Sequence, residues 1–217
     1  MDKLIVSSII LVLLFCSGCN KNEHRTTARK SPSREQAKKT GPEKKVIHIL
    51  PLGEVKAEYV NEVVSAVKKF YGYDCVVLPQ VKPTDDIMAA SRMRYEAGKI
   101  LQKYNSKEFL LILTTEDIAC RTEKSSEWGI FGLGYMPGTT CVVSTFRLRR
   151  TDGNLVPNSV LLERIDKICL HEIGHNLGLD HCMNDPRCMM NPANGTISQV
   201  DRERIWFCDI CKIHLKH

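Results

Sequence analysis

His171-Glu172-Ile173-Gly174-His175-Asn176-Leu177-Gly178-Leu179-Asp180-His181 is the stretch from which the rest of the chain is read. On a helix, His171 and His175 project from one face a turn apart and can hold one ion together. Glu172 stands about 100° around such a helix from His171, where its carboxylate can reach a water on that ion. Gly178 can adopt the left-handed conformation that ends a helix, and the turn can bring His181 back as a third nitrogen ligand. Three protein ligands with one open position is the arrangement of a catalytic zinc, not of a closed structural one. Two core histidines on an amphipathic helix would account for a bare H-E-x-x-H. Gly178 and His181 at their offsets argue against that.

The residues upstream support the helix. Leu162, Ile165, Cys169 and Ile173 recur at spacings of three and four, an apolar stripe roughly opposite the two histidines. Pro157 suits the first turn, where its missing N–H is no loss. The expected helix packs one face into the core and turns the other to a cleft.

A second cluster follows at once. Cys182 adjoins the third histidine, Cys188 comes next, and Cys208 and Cys211 form a C-x-x-C pair. Four cysteines in two pairs can close a tetrahedral S₄ site, which is structural because no position remains for water. Met190 lies two residues after Cys188, and 17 residues separate it from Cys208. With these residues in view, the chain resembles the archaemetzincins, metzincin-clan zinc peptidases whose pattern joins the long zinc motif to C-x₄-C-x-M-x₁₇-C-x-x-C. The first cysteine pair departs from it, reading C-x₅-C with the extra residue around Pro186. The resemblance implies that Met190 forms a hydrophobic floor under the catalytic zinc. It also implies that Gly129 to Met136 is an antiparallel edge strand lining the cleft.

The N-terminus reads as a targeting segment, residues 1–19. Lys3 is followed by an apolar run of 12 residues, Leu4 to Phe15, too short to span a bilayer by itself. Ser17-Gly18-Cys19 then looks like a bacterial lipoprotein cleavage box, with Cys19 as the lipidated residue, although Cys16 replaces the usual leucine. A plain secretory signal and an uncleaved anchor are the competing readings, and all three export the domain. Residues 20–45 are a basic linker with no aliphatic side chain larger than alanine, unable to bury enough apolar surface to fold. That linker holds nine Lys/Arg and three Asp/Glu, which accounts for the whole-chain net charge of +6. Residues 46–217 hold 21 of each sign, so the excess is a property of the tether and does not point to nucleic acid.

Between linker and zinc motif, the pattern is that of an α/β domain. Val46 to Leu50 reads as a strand ended by Pro51 and Gly53, and Glu54 to Tyr71 as a helix. Cys75 to Leu78 is a second strand, Ile87 to Tyr104 a second helix, and Phe109 to Leu113 a third strand. Alternation of this kind predicts parallel pairing. Trp128 to Met136 and Cys141 to Phe146, joined by Pro137-Gly138, read as antiparallel neighbours. Ser198 to Leu215 reads as a final helix bearing Cys208 and Cys211. His48 is expected as a strand or core residue and not a ligand. Cys75, Cys120, Cys141 and Cys169 lack metal spacing, and Cys120 could pair with Cys141 in an exported protein.

The resulting expectation is a metzincin-like zincin domain over residues 46–217. It has a twisted, mostly parallel five-stranded sheet with an antiparallel edge strand, an active-site helix and a C-terminal helix. Its function is zinc-dependent hydrolysis of peptide bonds, aminopeptidase-like by resemblance, with a zinc-bound water and Glu172 as general base. Two Zn²⁺ ions per chain are expected: one catalytic on His171, His175 and His181, one structural on Cys182, Cys188, Cys208 and Cys211. The expected partners are a peptide or protein substrate and a membrane reached through the lipid anchor, with no nucleic acid and a monomeric state. The alternative is a non-catalytic, zinc-binding exported lipoprotein serving as an interaction module. A redox role for Cys208 and Cys211 is disfavoured, because that pair does not follow a strand in a βαβ unit.

Overall fold

The computed structural model describes residues 45–215. The targeting segment, Cys19 and the linker up to residue 44 lie outside the described residues.

Strand β1, Val46–Leu52, begins the sheet. It runs past Pro51, whose carbonyl accepts from Val81 N–H, so the proline does not end the strand as its punctuation suggested. Gly53, at φ +81°, makes the turn, and helix α1 starts only at Ala57, running to Tyr71. Gly72 closes it in the left-handed conformation, its N–H bonding Lys68 O. Strand β2 is Asp74–Val77 and pairs parallel with β1.

The expected long helix from Ile87 to Tyr104 is not there. A 3₁₀ turn at Asp85–Ile87 is followed by a hairpin-like bend, a two-residue strand at Tyr95–Glu96, and a short helix α2, Ala97–Lys103. Polar contacts distant in sequence override the local periodicity. Arg94 Nε meets Asp117 at 2.8 Å and its Nη1 donates to Glu127 O, while the Ser91 N–H and hydroxyl both donate to the Glu127 carboxylate. Arg92, at φ +58°, makes the bend that brings these groups round.

Strands β3, Phe109–Thr114, β4, Gly132–Gly134, and β5, Thr140–Ser144, complete the sheet. Its order is β2-β1-β3-β5-β4, with every pairing parallel except that of β4 on β5. The parallel body and antiparallel edge match the expectation. Trp128–Gly129, read together with that edge, belongs to a separate small sheet with Ile118–Cys120 and Tyr95–Glu96.

Both faces of the sheet are covered, as parallel pairing requires. Leu111 and Leu113 of β3 face the core under α1 and the long helix after the sheet, and Leu110 and Ile112 face the smaller core under α2. Helix α3, Asn158–Asn176, is the longest element of the described residues and is buried almost all round from Leu161 onward. Ile165, Cys169 and Ile173 are in the core as their spacing predicted, with Leu162 only half-buried against it. The burial of Arg164, Asp166 and Lys167 was not foreseen. Arg164 earns its place with a two-pronged bond to Asp201 at 2.7 Å and a bond to Leu148 O.

The C-terminal helix is two helices, α4, Ile197–Arg202, and α5, Asp209–Leu215. The segment between them runs beside the loop after α3, with Arg204 N–H on Arg187 O and Met189 N–H on Trp206 O. Those bonds need extended backbone, so a continuous helix is excluded and Cys208 falls just ahead of α5. Cys75, Cys120, Cys141 and Cys169 are all free thiols, which removes the Cys120–Cys141 pairing. His48 is on β1, half-buried, and meets Glu108 at 3.5 Å.

Candidate metal centre and peptidase cleft

Helix α3 delivers His171, Glu172 and His175 in its last turns. Leu177 N–H still bonds Ile173 O, and Gly178, at φ +91°, then reverses the chain. That reversal puts His181 beside the other two rings. Candidate ligand atoms of His171, His175 and His181 lie within 4.8 Å of one another. Their ring centroids are 4.6, 4.8 and 5.5 Å apart.

The tautomers follow from the partners. His171 Nδ1 lies 2.6 Å from Met189 O, and His175 Nδ1 lies 2.7 Å from Leu179 O. A carbonyl only accepts, so both Nδ1 atoms carry the proton and both Nε2 atoms present lone pairs. Burial lowers the pKa of all three histidines, His171 to about 3 with a further push from His175. Neutral imidazoles are the form that ligates a metal.

Glu172 is 6% exposed, and its Oε2 has no hydrogen-bond partner. Burial raises its pKa to about 8. An unpartnered buried carboxylate oxygen costs free energy unless a cation or polar ligand meets it, so the donor set fits a divalent ion beside it. Two glycines make room here. A β-carbon on Gly132 would stand 2.5 Å from Glu172 Oε1, and one on Gly174 would stand 2.6 Å from Met190 Sδ. Met190 is wholly buried in the core against α3. Its carbonyl accepts from Cys182 N–H at 2.7 Å, tying the methionine turn to the residue after His181.

The cysteines also converge. Candidate ligand atoms of Cys182, Cys188, Cys208 and Cys211 lie within 4.8 Å of one another, all buried. Cys182 and Cys208 sulfurs are 3.5 Å apart, and those of Cys188 and Cys211 3.8 Å. Four thiolates at tetrahedral zinc distance have edges of about 3.8 Å, so this cage fits zinc and none of its pairs is a disulfide. Cys208 N–H donates to Cys188 Sγ at 3.4 Å. Burial pushes the Cys182 thiol up, but the amides of Asn184 and Asp185 and the Cys208 and Cys211 thiols more than offset it, bringing it down to about 7. The extra residue of the first pair is absorbed in a turn where Asp185 Oδ1 accepts from Arg187 N–H. It does not disturb the sulfur cage.

A cleft of about 380 Å³ runs past His171, Glu172 and His181, between Gly132 on one side and Asn191 to Gly195 on the other. Gly132 is on the edge strand that the resemblance placed at the cleft. Trp128 and Glu203 also line it, and sequence reasoning assigned neither to the site. No spacing rule points to them, because the turns after β3 and α4 bring them in.

The sequence profile of peptidase family M54 matches residues 52–217. The chain belongs to peptidase family M54, the archaemetzincins. An archaemetzincin of Halobacterium salinarum is 31% identical over 173 residues, spanning 76% of this chain and 96% of that protein. One from Archaeoglobus fulgidus is 31% identical over 171 residues, spanning 79% and 99%. Among solved structures, the Archaeoglobus fulgidus archaemetzincin in complex with malonate superposes with a TM-score of 0.67 at 31% identity, covering 78% of this chain and 99% of that one. A zinc-dependent peptidase from Methanocorpusculum labreanum gives a TM-score of 0.66 at 25% identity, covering 78% and 99%. As an archaemetzincin, this chain is a zinc metallopeptidase.

Proposed function

We propose that His171, His175 and His181 hold one catalytic zinc and that Glu172 is the general base. Cys182, Cys188, Cys208 and Cys211 would hold a second, structural zinc, giving two ions per chain. The observation that carries this reading is the convergence of three neutral histidines and an unpartnered Glu172 oxygen, with His171, Glu172 and His181 lining one cleft. Zinc bound there supplies Lewis acidity, polarising a carbonyl and lowering the pKa of a water.

The remaining work falls to the chain's own residues. The Nδ1–H bonds to Met189 O and Leu179 O fix the orientation of His171 and His175. Glu172 takes the proton of the attacking water and returns it to the leaving amine. Burial raises the pKa of Glu172, and a dication held by the three histidines would offset that rise. The edge of β4, paired only with β5 among the described residues, offers main-chain groups to an extended peptide. The cysteine cage fixes the segment following His181 and so the direction of that ligand.

The substrate is a peptide or protein, cut by a monomer tethered outside the cytoplasm through Cys19. Comparing free with N-acetylated peptides separates aminopeptidase-like trimming from internal cleavage. Membrane release by Cys19→Ser tests the tether. The reading as a whole is tested by metal analysis of purified protein alongside a peptide-library digest. Two zinc ions per chain and chelator-sensitive cleavage are expected. One zinc with the four cysteines oxidised in pairs would remove the structural centre, and a fully metallated chain that cleaves nothing would remove the catalytic reading.

A further inference from the structure

The cleft contains one carboxyl group that this mechanism does not use. Glu203 lines it with His171, Glu172 and His181, and is 3% exposed. Its side chain receives one hydrogen bond from the described residues, from Gln199 Nε2 at 3.3 Å. Gln199 spends a shorter bond, 2.9 Å, on Pro186 O. Glu203 is in no ion pair among the described residues. The Lys167 ammonium, whose charge reaches it, is held instead by Glu163 Oε1 at 2.8 Å and Val200 O at 3.1 Å. Burial raises the Glu203 pKa to about 7, against the pull of Gln199 and Lys167.

The other walls of the cleft are largely apolar: Ile130, Phe131, Ile168, Pro192 and Ala193. Trp128 stands at its rim, 47% exposed, over Gly195, where a β-carbon would meet the indole at 3.2 Å. Apolar walls and an aromatic face suit the alkyl stem of a cation, and a buried carboxyl group with no counter-ion suits its head. A cation there favours the ionised carboxylate that burial disfavours, whereas an acidic group would repel it.

We propose that Glu203 selects a cationic group of the peptide substrate, supplied by a lysine or arginine side chain or by the N-terminal ammonium. The inference rests on the peptidase reading for its substrate and adds the chemistry that the cleft prefers. Zinc-loaded enzyme and Glu203→Gln would be given peptides of one sequence carrying Lys, Arg, norleucine or Glu beside the scissile bond, each with a free or acetylated N-terminus. The parent should favour Lys over norleucine, or free over acetylated peptide, by about tenfold or more in kcat/KM, and which ratio responds identifies the source. Glu203→Gln should bring that ratio close to one, and Glu203→Asp, which keeps the charge, should retain its direction. Zinc content and thermal melting of both variants confirm their fold.

A parent with neither preference, or a Glu203→Gln variant that keeps the parent's ratio, would overturn the assignment. Calorimetric binding of the same Lys and norleucine peptides reads the subsite without turnover. An inactive parent that still discriminates in binding would therefore defeat the peptidase reading alone. An active parent that does not discriminate would defeat the subsite alone.

Discussion

Gly132 and Glu172 face each other so closely that a β-carbon on the glycine would lie 2.5 Å from Oε1 and 2.7 Å from Cγ of the glutamate. The edge strand thus sets the position of the proposed base, and only a residue without a side chain fits. Gly132→Ala should push the carboxyl group out of line while leaving the three histidines in place. The expected result is a fall in kcat of about 100-fold or more with zinc content unchanged. Parental kcat in a metallated Gly132→Ala protein would show that the strand does not position Glu172.

Gly174 has the same relation to Met190, whose sulfur a β-carbon would approach to 2.6 Å. Gly174→Ala overpacks the buried contact between α3 and Met190, at a cost of ~1–3 kcal/mol. Thermal melting should fall, and competition with a chelator should show weaker retention of the first zinc. Unchanged melting and retention would mean that the methionine turn yields freely.

Removing one sulfur from the cage should act on the whole C-terminal segment. Structural zinc contributes on the order of 10 kcal/mol of apparent binding free energy in small domains, and here it would join α5 to the residue after His181. Cys211→Ser should lower bound zinc from two per chain to one, reduce the melting temperature, and weaken retention of the remaining ion. Two zinc ions on Cys211→Ser would contradict the four-sulfur centre.

The contact between α1 and α3 predicts a pH dependence. Burial, then the charge of Glu62, raises the Asp166 pKa from 3.8 to about 8, with Glu163 adding to it and Lys69 opposing. Between roughly pH 4 and 8 the folded chain therefore holds a proton that the unfolded chain has released, so this group makes stability fall as pH rises through that window. Asp166→Asn cannot ionise. It should melt higher than the parent at pH 8 and show a flatter decline from pH 5 upward. Identical slopes for the two proteins would show that Asp166 titrates normally.

Much of this was legible in the sequence, for physical reasons that can be named. His171, His175 and His181 are fixed by helix spacing and one left-handed glycine, both local properties. The strands from Val46, Cys75 and Phe109 declare themselves by β-branched and apolar runs. Of the edge strand expected over Gly129 to Met136, Gly132–Gly134 forms it: Gly129 pairs with Ala119 outside the main sheet, and Tyr135 and Met136 lie beyond its end. What failed was decided at long range. The helix expected from Ile87 gives way to Arg94 on Asp117 and Ser91 on Glu127, partners 23 to 36 residues away in the chain. The final helix breaks because Arg204 and Trp206 must bond the loop that carries Met189. Buried polar residues such as Glu203 left no trace in the hydrophobic pattern, since burial of a charge is a tertiary event.

The most direct test of the central claim is peptide cleavage by Glu172→Gln with its zinc content measured on the same sample. The substitution keeps the shape of the side chain and the three histidine ligands, and removes only the capacity to take a proton. Zinc retained at the parent's level with turnover lowered by about 100-fold to 10,000-fold is the predicted result. Near-parental turnover by the metallated variant would contradict the assignment of Glu172 as the base.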